Sequence, residues 1–201
     1  MEIIKEFEQK KVIPVVVFKS LDEVDSTMTS LIKGDLKIAE VCFRTVCALD
    51  AIKIVKEKYP EITLGAGTVI NEKQCLQAIK AGVKFIVSPG FSEKIARICK
   101  KNKIFYLPGV VTPTEIMAAL DCGLTYLKFF PAGVYGGLKA IKALSAAFPQ
   151  VKFMPTGGVN LDNLNEFLAE KSIFAIGGSF ITKGDIFDNC KKVKEIIKKG
   201  E

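Results

Sequence analysis

The sequence of 201 residues contains no histidine and no tryptophan. Without histidine, the chain lacks the usual general base of enzymes and the commonest transition-metal ligand. Proton transfer must therefore fall to Glu, Asp, Lys, Tyr or water, and a metal-dependent reaction is disfavoured. No apolar run reaches the length of a membrane-spanning helix, and the opening MEIIKEFEQKK lacks the apolar core and cleavage site of a signal peptide. We therefore expect neither a metal nor a membrane as a partner.

The six cysteines are scattered and include no C-x-x-C pair. This usage is typical of reduced thiols in a cytoplasmic protein. The net charge is +7, but the lysines are interspersed with acidic residues and form no basic run mixed with aromatics. A solvated lysine surface is therefore expected rather than a nucleic-acid site. The hydrophobic share of 49% favours one globular domain over residues 1–201.

Short apolar segments alternate with amphipathic ones along the chain. Several of the helical patterns between the apolar segments begin at Ser, Thr or Asn and end at Gly or Asn, as in NEKQCLQAIKAG, SEKIARICKKN and TPTEIMAALDCG. Such βα units predict an α/β fold with parallel strands closed into a (β/α)8 TIM barrel, with an extra N-terminal helix over residues 1–10. An open doubly wound sheet is the alternative, but no G-x-G-x-x-G follows the first strand. The predicted strands are 12–18, 37–43, 63–69, 85–90, 105–111, 126–132, 152–158 and 174–180.

One lysine interrupts an otherwise apolar predicted strand: Lys128, in YLKFFPA. Lysine is almost never fully buried without a partner or a task, and a buried neutral amine is a nucleophile toward carbonyl groups. Glu40 lies in a similar apolar strand, KIAEVCF, where an isolated carboxylate is costly. The two could be a buried ion pair that holds the barrel together, or a working acid/base pair. We favour the second, because a buried ion pair is weak evidence for stability.

Polar residues and glycines gather at the ends of the predicted strands, where barrels carry their active sites. The guanidinium of Arg44, after the second strand, suits a carboxylate. A single Gly-Gly pair would indicate only a tight turn. Two pairs in adjacent loops indicate a phosphate site, because backbone N–H groups and the positive end of the next helix attract an anion. The remaining residues at this edge are Thr68, Pro89, Thr156, Gly157, Gly158, Gly177, Gly178 and Ser179.

These motifs, in this order, resemble the class I 2-keto-3-deoxy-6-phosphogluconate (KDPG) / 4-hydroxy-2-oxoglutarate (KHG) aldolase family. The match runs nearly the full length, through PVVVFKS, AEVCFRT, LGAGTV, VSPGF, LPGVVTPTE, LKFFPA, PTGGVN and IGGSF. The resemblance implies a carbon–carbon lyase that releases pyruvate from a 2-keto acid. It also implies a homotrimer that needs no metal or other cofactor.

The resemblance further implies a role for each residue. Lys128 would form the Schiff base with the substrate keto group, and Glu40 would be the general acid/base, working through a bound water. The other residues would hold the substrate: Arg44 and Thr68 at the pyruvate carboxylate, Pro89, Phe130 and Thr156 along the pocket, and Gly157, Gly158, Gly178 and Ser179 at the phosphate.

One position departs from part of that family. Some members carry an arginine at the end of the first strand, where this chain has Lys19. The preference for phosphorylated over unphosphorylated substrate is therefore open, whereas the chemistry is not affected.

Two other classes of protein remain as alternatives. A sugar-phosphate isomerase or epimerase on the same barrel would use the phosphate loops but would not need Lys128. A non-catalytic phosphometabolite-binding protein would leave both Lys128 and Glu40 inside the barrel without a purpose.

Overall fold

The computed structural model describes residues 2–200, in which helices alternate with short strands. The strands are β1 Val12–Val16, β2 Ile38–Cys42, β3 Thr63–Gly67, β4 Phe85–Val87, β5 Phe105–Leu107, β6 Gly109–Val110, β7 Tyr126–Phe129, β8 Lys152–Pro155 and β9 Ile176–Gly178. The helices are α1 Glu2–Lys10, α2 Glu23–Lys33, α3 Ala48–Lys58, α4 Glu72–Lys80, α5 Glu93–Lys101, α6 Pro113–Asp121, α7 Gly137–Ala147, α8 Leu164–Leu168 and α9 Ile186–Gly200.

Each predicted strand contains an observed one, but the observed strands are shorter. β4 ends just before Ser88-Pro89, and β7 ends just before Phe130-Pro131. Proline has no N–H to donate to the next bond of a strand ladder. The ends of the predicted strands are therefore loops, and these loops carry the polar residues of the expected site.

The predicted helix starts agree with the structure. Asn71, Ser92 and Thr112 precede α4, α5 and α6, and each side chain accepts a hydrogen bond from a backbone N–H of the first turn. Thr112 and Glu115 also form a reciprocal capping box. The predicted N-terminal helix corresponds to α1, and Met1 lies outside the described residues.

The strands pair in two parallel sheets, so the structure does not show the eight strands of the predicted barrel as one continuous ring. The larger sheet has the order β5-β4-β3-β2-β1-β9, and the smaller has β6-β7-β8. Pro108 divides the predicted fifth strand into β5 and β6, because proline interrupts the ladder. Between β8 and the region of β9, two isolated parallel pairs join Phe153 to Ile173 and Thr156 to Gly177. The fold is thus α/β, with a curled parallel sheet.

Helix α1 covers the amino ends of several strands. Its Phe7 is fully buried, and the ring centroid lies 5.0 Å from that of Phe85 and 5.9 Å from that of Phe105, both in edge-on contact. Burying one such phenylalanine contributes roughly 1.5–3 kcal/mol. Because Phe85 and Phe105 begin β4 and β5, this aromatic cluster fills the amino end of the sheet. The carboxyl ends of the strands are left for the functional residues.

None of the helices between residues 2 and 200 combines the length and the apolar character needed to cross a bilayer.

We predict that Gly65→Ala lowers the free energy of unfolding by about 1–3 kcal/mol, the usual cost of overpacking a core. A Cβ at Gly65 would overlap the ring of Phe85. Urea denaturation measures the effect. Gly90→Ala is the matched control, since a Cβ there meets no described atom within 4 Å. Equal stability of the two variants would contradict the predicted overlap.

Candidate active site

Lys128 and Glu40 meet in the interior of the fold. Lys128 belongs to β7 in the smaller sheet, and Glu40 belongs to β2 in the larger sheet. The Lys128 Nζ lies 3.6 Å from Glu40 Oε1, and the side chains are 2% and 0% exposed. Within residues 2–200, the other carboxylate oxygen, Glu40 Oε2, has no hydrogen-bond partner although it is buried. A buried amine thus lies beside a carboxylate that has one oxygen unoccupied by protein groups.

The glycines of β3 make room for this pair. Glu40 lies opposite Gly65, and Cys42 lies opposite Gly67, in the parallel register of β2 and β3. A Cβ at Gly67 would overlap the Glu40 carboxylate. The G-A-G run therefore has a steric explanation, because only glycine lets the backbone of β3 approach the carboxylate so closely.

The aromatic ring of Phe130 is a neighbour of the lysine. Its centroid lies 4.9 Å from Lys128 Nζ, within the range of a cation–π contact. Phe130 is the second residue after Lys128, so the chain leaving β7 folds the ring back over the amine. The sequence-predicted pocket residue is thus in contact with the predicted nucleophile.

Arg44 and Thr68 meet where β2 and β3 end. Arg44 Nε donates a hydrogen bond of 2.9 Å to Thr68 Oγ1. Thr68 has a φ of 54°, in the left-handed region, which is rare for a β-branched residue and typical of functional positions. The two terminal nitrogens of the Arg44 guanidinium have no protein partner in the described part of the chain. They leave a planar fork of the kind that binds a carboxylate.

Pro89 follows β4 and lies against β6, whereas Thr156 follows β8, and β6 and β8 are the two strands that pair with β7. The carbonyl of Pro89 lies against Gly109, the residue paired with Lys128 in β6. Thr156 follows β8, the other partner of β7, and is only 4% exposed. Its Oγ1 has no hydrogen-bond partner among residues 2–200 and lies so close to Gly177 that a Cβ there would overlap it.

Gly157 and Gly158 lie in the loop after β8, whereas the predicted second glycine pair, Gly177 and Gly178, lies within β9 and not in a loop. Gly157 and Gly158 have φ values of 81° and 92°, which favour glycine. The N–H of Gly133 donates to the carbonyl of Gly157 at 2.8 Å, and a Cβ at Gly158 would lie 2.7 Å from Gly133 Cα. The loops after β7 and β8 therefore pack backbone against backbone. Ser179 is exposed beside them.

The helices that follow these glycines begin several residues later in the chain. An anion held at the glycines by a helix terminus would require the helix to begin directly after them. Helix α8 begins at Leu164, and α9 begins at Ile186. Between Gly158 and α8, Asn160 Oδ1 accepts hydrogen bonds from the N–H groups of Asp162 and Asn163. Gly157 and Gly158 thus precede a turn, and an anion there would be bound by turn N–H groups rather than by a helix terminus.

Cys42 is a neighbour of Glu40 that the sequence analysis treated only as one of six reduced thiols. It is 0% exposed, and its Sγ donates to Glu40 Oε1 at 3.7 Å. Burial, followed by the Glu40 carboxylate, raises the pKa of the Cys42 thiol to about 12. Its spacing from Glu40 was the available signal, because residues two apart on a strand face the same side.

The arrangement of a buried amine beside a buried carboxylate suits an enzyme whose nucleophile is an amine. A primary amine shielded from water attacks carbonyl carbon to form an imine, and an adjacent carboxylate can carry the protons. No three His, Cys, Asp or Glu side chains in the described chain come together as a metal site would require.

Comparisons with known proteins agree with this class. The family profile described as KDPG and KHG aldolase matches residues 3–198. The KHG/KDPG aldolase of Escherichia coli is 40% identical over 177 residues, which cover 88% of this chain and 83% of that protein.

Solved structures agree as well. The crystal structure of a 2-keto-3-deoxy-6-phosphogluconate aldolase from Zymomonas mobilis has a TM-score of 0.90 at 38% identity and covers 94% of both chains. A KDPG aldolase from Legionella pneumophila, with pyruvate captured as a covalent carbinolamine, has a TM-score of 0.88 at 35% identity and covers 96% of this chain and 95% of that one. The chain belongs to the KDPG and KHG aldolase family, and the family predicted from its motifs is confirmed.

We predict that Lys128→Met lowers the free energy of unfolding by about 3–5 kcal/mol, because it leaves the Glu40 carboxylate buried without its partner. The double variant Lys128→Met, Glu40→Leu should recover most of that loss, since apolar replacement of a whole buried pair is often neutral or stabilising. Urea denaturation compares both with the unaltered protein. If the double variant were as unstable as the single one, the pair would be a structural requirement of the fold.

Proposed function

We infer that this protein is a class I aldolase that cleaves KDPG to pyruvate and glyceraldehyde 3-phosphate. The observation that carries the inference is the buried Lys128 amine 3.6 Å from a buried carboxylate, in a chain of this family. The Legionella pneumophila relative, with pyruvate bound covalently as a carbinolamine, supports the same chemistry here. An isomerase or epimerase would have no use for the amine.

The first half of the reaction forms the imine. The Lys128 amine attacks the C2 ketone of the substrate to give a carbinolamine, and loss of water gives a protonated imine. The departing hydroxyl needs a proton, and the carboxyl group of Glu40 is the acid/base group closest to the amine. The positive imine then withdraws electrons from the carbon chain.

The second half breaks the carbon–carbon bond. A base takes the proton of the C4 hydroxyl, and the C3–C4 bond breaks to release the aldehyde. The electron pair of the broken bond moves into the imine and gives an enamine. Protonation of the enamine at C3 and hydrolysis of the imine release pyruvate and the free amine. We assign these proton transfers to Glu40, whose Oε2 has no hydrogen-bond partner in residues 2–200.

The rest of the site would hold the two ends of the substrate. We propose that Arg44, oriented by Thr68, binds the carboxylate, and that Pro89, Phe130 and Thr156 line the channel. The phosphate would lie at the carboxyl ends of β8 and β9, at Gly157, Gly158, Gly178 and Ser179. Lys19 follows β1, which pairs with β9, and would add positive charge at that end.

A second substrate is supported by the family to which the chain belongs. KHG has the same 2-keto acid head as KDPG and lacks the phosphate. We propose that the same amine and carboxylate cleave KHG to pyruvate and glyoxylate, with less help from the glycine-rich loops.

The overall architecture and setting also remain proposals. We propose that the two sheets form one closed (β/α)8 barrel in a single domain, because β5 and β6 are separated only by Pro108 and two strand pairs link β8 to the region of β9. The six free cysteines favour a cytoplasmic location. A homotrimer would cover exposed apolar side chains, which include Val46, Ile70, Val134 and Tyr135.

We predict that borohydride added in the presence of pyruvate reduces the imine and leaves a stable adduct on Lys128. Mass spectrometry of the digested protein locates it. Lys152→Met, which alters the lysine paired across β7 and β8 with Tyr126, should trap pyruvate as the unaltered protein does. An adduct on another lysine would remove Lys128 from its role, and no adduct at all would favour the isomerase alternative.

We predict that Ser179→Ala raises KM for KDPG by about tenfold, the usual effect of losing one hydrogen bond to a charged group. KM for KHG should stay within about twofold under the same hydrogen-bond argument, since KHG has no phosphate. Steady-state release of pyruvate measures both. Ser26→Ala, at an exposed position on α2, is the control. An equal change in KM for the two substrates would place the phosphate elsewhere.

A further inference from the structure

Cys42 lies inside the site and contacts Glu40 directly. The two residues are two apart on β2, so their side chains point to the same face. Cys42 Sγ lies 3.7 Å from Glu40 Oε1, and neither side chain is exposed. This contact has no part in imine formation or in substrate binding as described above.

The Cys42 thiol stays protonated and is therefore always available as a hydrogen-bond donor. Burial and the adjacent Glu40 carboxylate raise the pKa of the thiol to about 12. Cys42 therefore keeps its proton at neutral pH, where it can donate to a carboxylate but cannot act as a thiolate nucleophile. Its role must be that of a neutral donor.

The two oxygens of Glu40 have different surroundings. Oε1 lies within reach of both the Lys128 amine and the Cys42 thiol, whereas Oε2 has no partner among the described residues. Gly67 packs against the carboxylate from β3. The carboxylate is thus fixed through one oxygen and open at the other.

We propose that Cys42 is a positioning residue: its hydrogen bond holds Glu40 Oε1 toward Lys128 and leaves Oε2 as the oxygen that takes and returns protons. The proposal rests on the acid/base role of Glu40 in the proposed function. A carboxylate that loses this donor can rotate, so that Oε2 spends less time facing the substrate, and its ionised form loses a stabilising contact.

Few charged groups compete with the thiol for this carboxylate. Lys128 faces it from β7, Cys42 faces it from β2, and Arg44 lies beyond them in the loop after β2. The strands paired with β2 place uncharged residues opposite Glu40: Val15 on β1 and Gly65 on β3. A change in pH dependence after substitution of Cys42 would therefore report on the Cys42–Glu40 contact.

The test compares Cys42→Ala and Cys42→Ser in the full-length protein. Cys42→Ala should lower kcat for KDPG cleavage about three- to tenfold, the effect of losing one hydrogen bond. For the same reason, the acid limb of the pH profile of kcat should move up by about half to one pH unit. KM should change less than about twofold on the same argument. Cys42→Ser, which keeps a donor, should restore most of kcat. Cys190→Ala, at a buried cysteine on α9, is the control for cavity formation.

A double-variant cycle with Glu40→Gln separates this proposal from the proposed function. Glu40→Gln should lower kcat by about a hundredfold or more, and adding Cys42→Ala should cause no further loss, because residues that act through one group are not additive. The positioning role alone would be overturned if the effects of the two substitutions on kcat multiplied. It would also be overturned if Cys42→Ala left the pH profile of kcat unchanged, or if Cys42→Ser were as slow as Cys42→Ala. Full activity of Glu40→Gln would overturn both.

Discussion

The ion pair between Lys128 and Glu40 is the interaction on which the rest of the site depends. Both side chains are essentially removed from water, and 3.6 Å separates the amine from the nearer carboxylate oxygen. Burying either charge alone would cost several kcal/mol, so each requires the other. The pair contributes little net stability, yet it would provide an amine and a proton carrier to one substrate carbon in the proposed reaction. That proposed chemistry would explain why the fold carries an energetic cost at this point.

Several features of the chain follow from making room for that pair. The glycines of β3 leave space beside β2, where Gly67 admits the carboxylate and Gly65 admits the ring of Phe85. Phe85 in turn packs against Phe7 of α1, which fills the amino end of the sheet. The two glycines of β3 thus mark two different ends of the sheet. Gly65 adjoins the apolar end, which stabilises the fold, and Gly67 adjoins the polar end, where the candidate site lies.

Much of this organisation could be predicted from the sequence, because burial and periodicity are local signals. Lys128 and Glu40 were evident as charges in apolar strands, and the caps Asn71, Ser92 and Thr112 marked the helix starts. The division at Pro108 had a local signal in the proline itself, which the strand prediction did not use. The left-handed backbone of Thr68 could not be predicted, because that conformation is rare for a β-branched residue and no local pattern marks it. Cys42 was overlooked because a buried thiol is ordinarily an apolar packing residue, and only its distance to Glu40 distinguishes it.

The weakness of a thiol as a donor suits the position of Cys42. A base must stay basic enough to accept a proton, and each strong or charged donor on a carboxylate favours its ionised form. Lys128 already provides one charged neighbour to Oε1. A second cation there would bind the carboxylate so firmly that it would no longer exchange protons readily, whereas an apolar side chain would leave it free to rotate. A neutral, weak S–H donor orients the group and adds little to its charge stabilisation. In the proposed role of Cys42, the thiol would thus orient Glu40 without adding a second charge beside it.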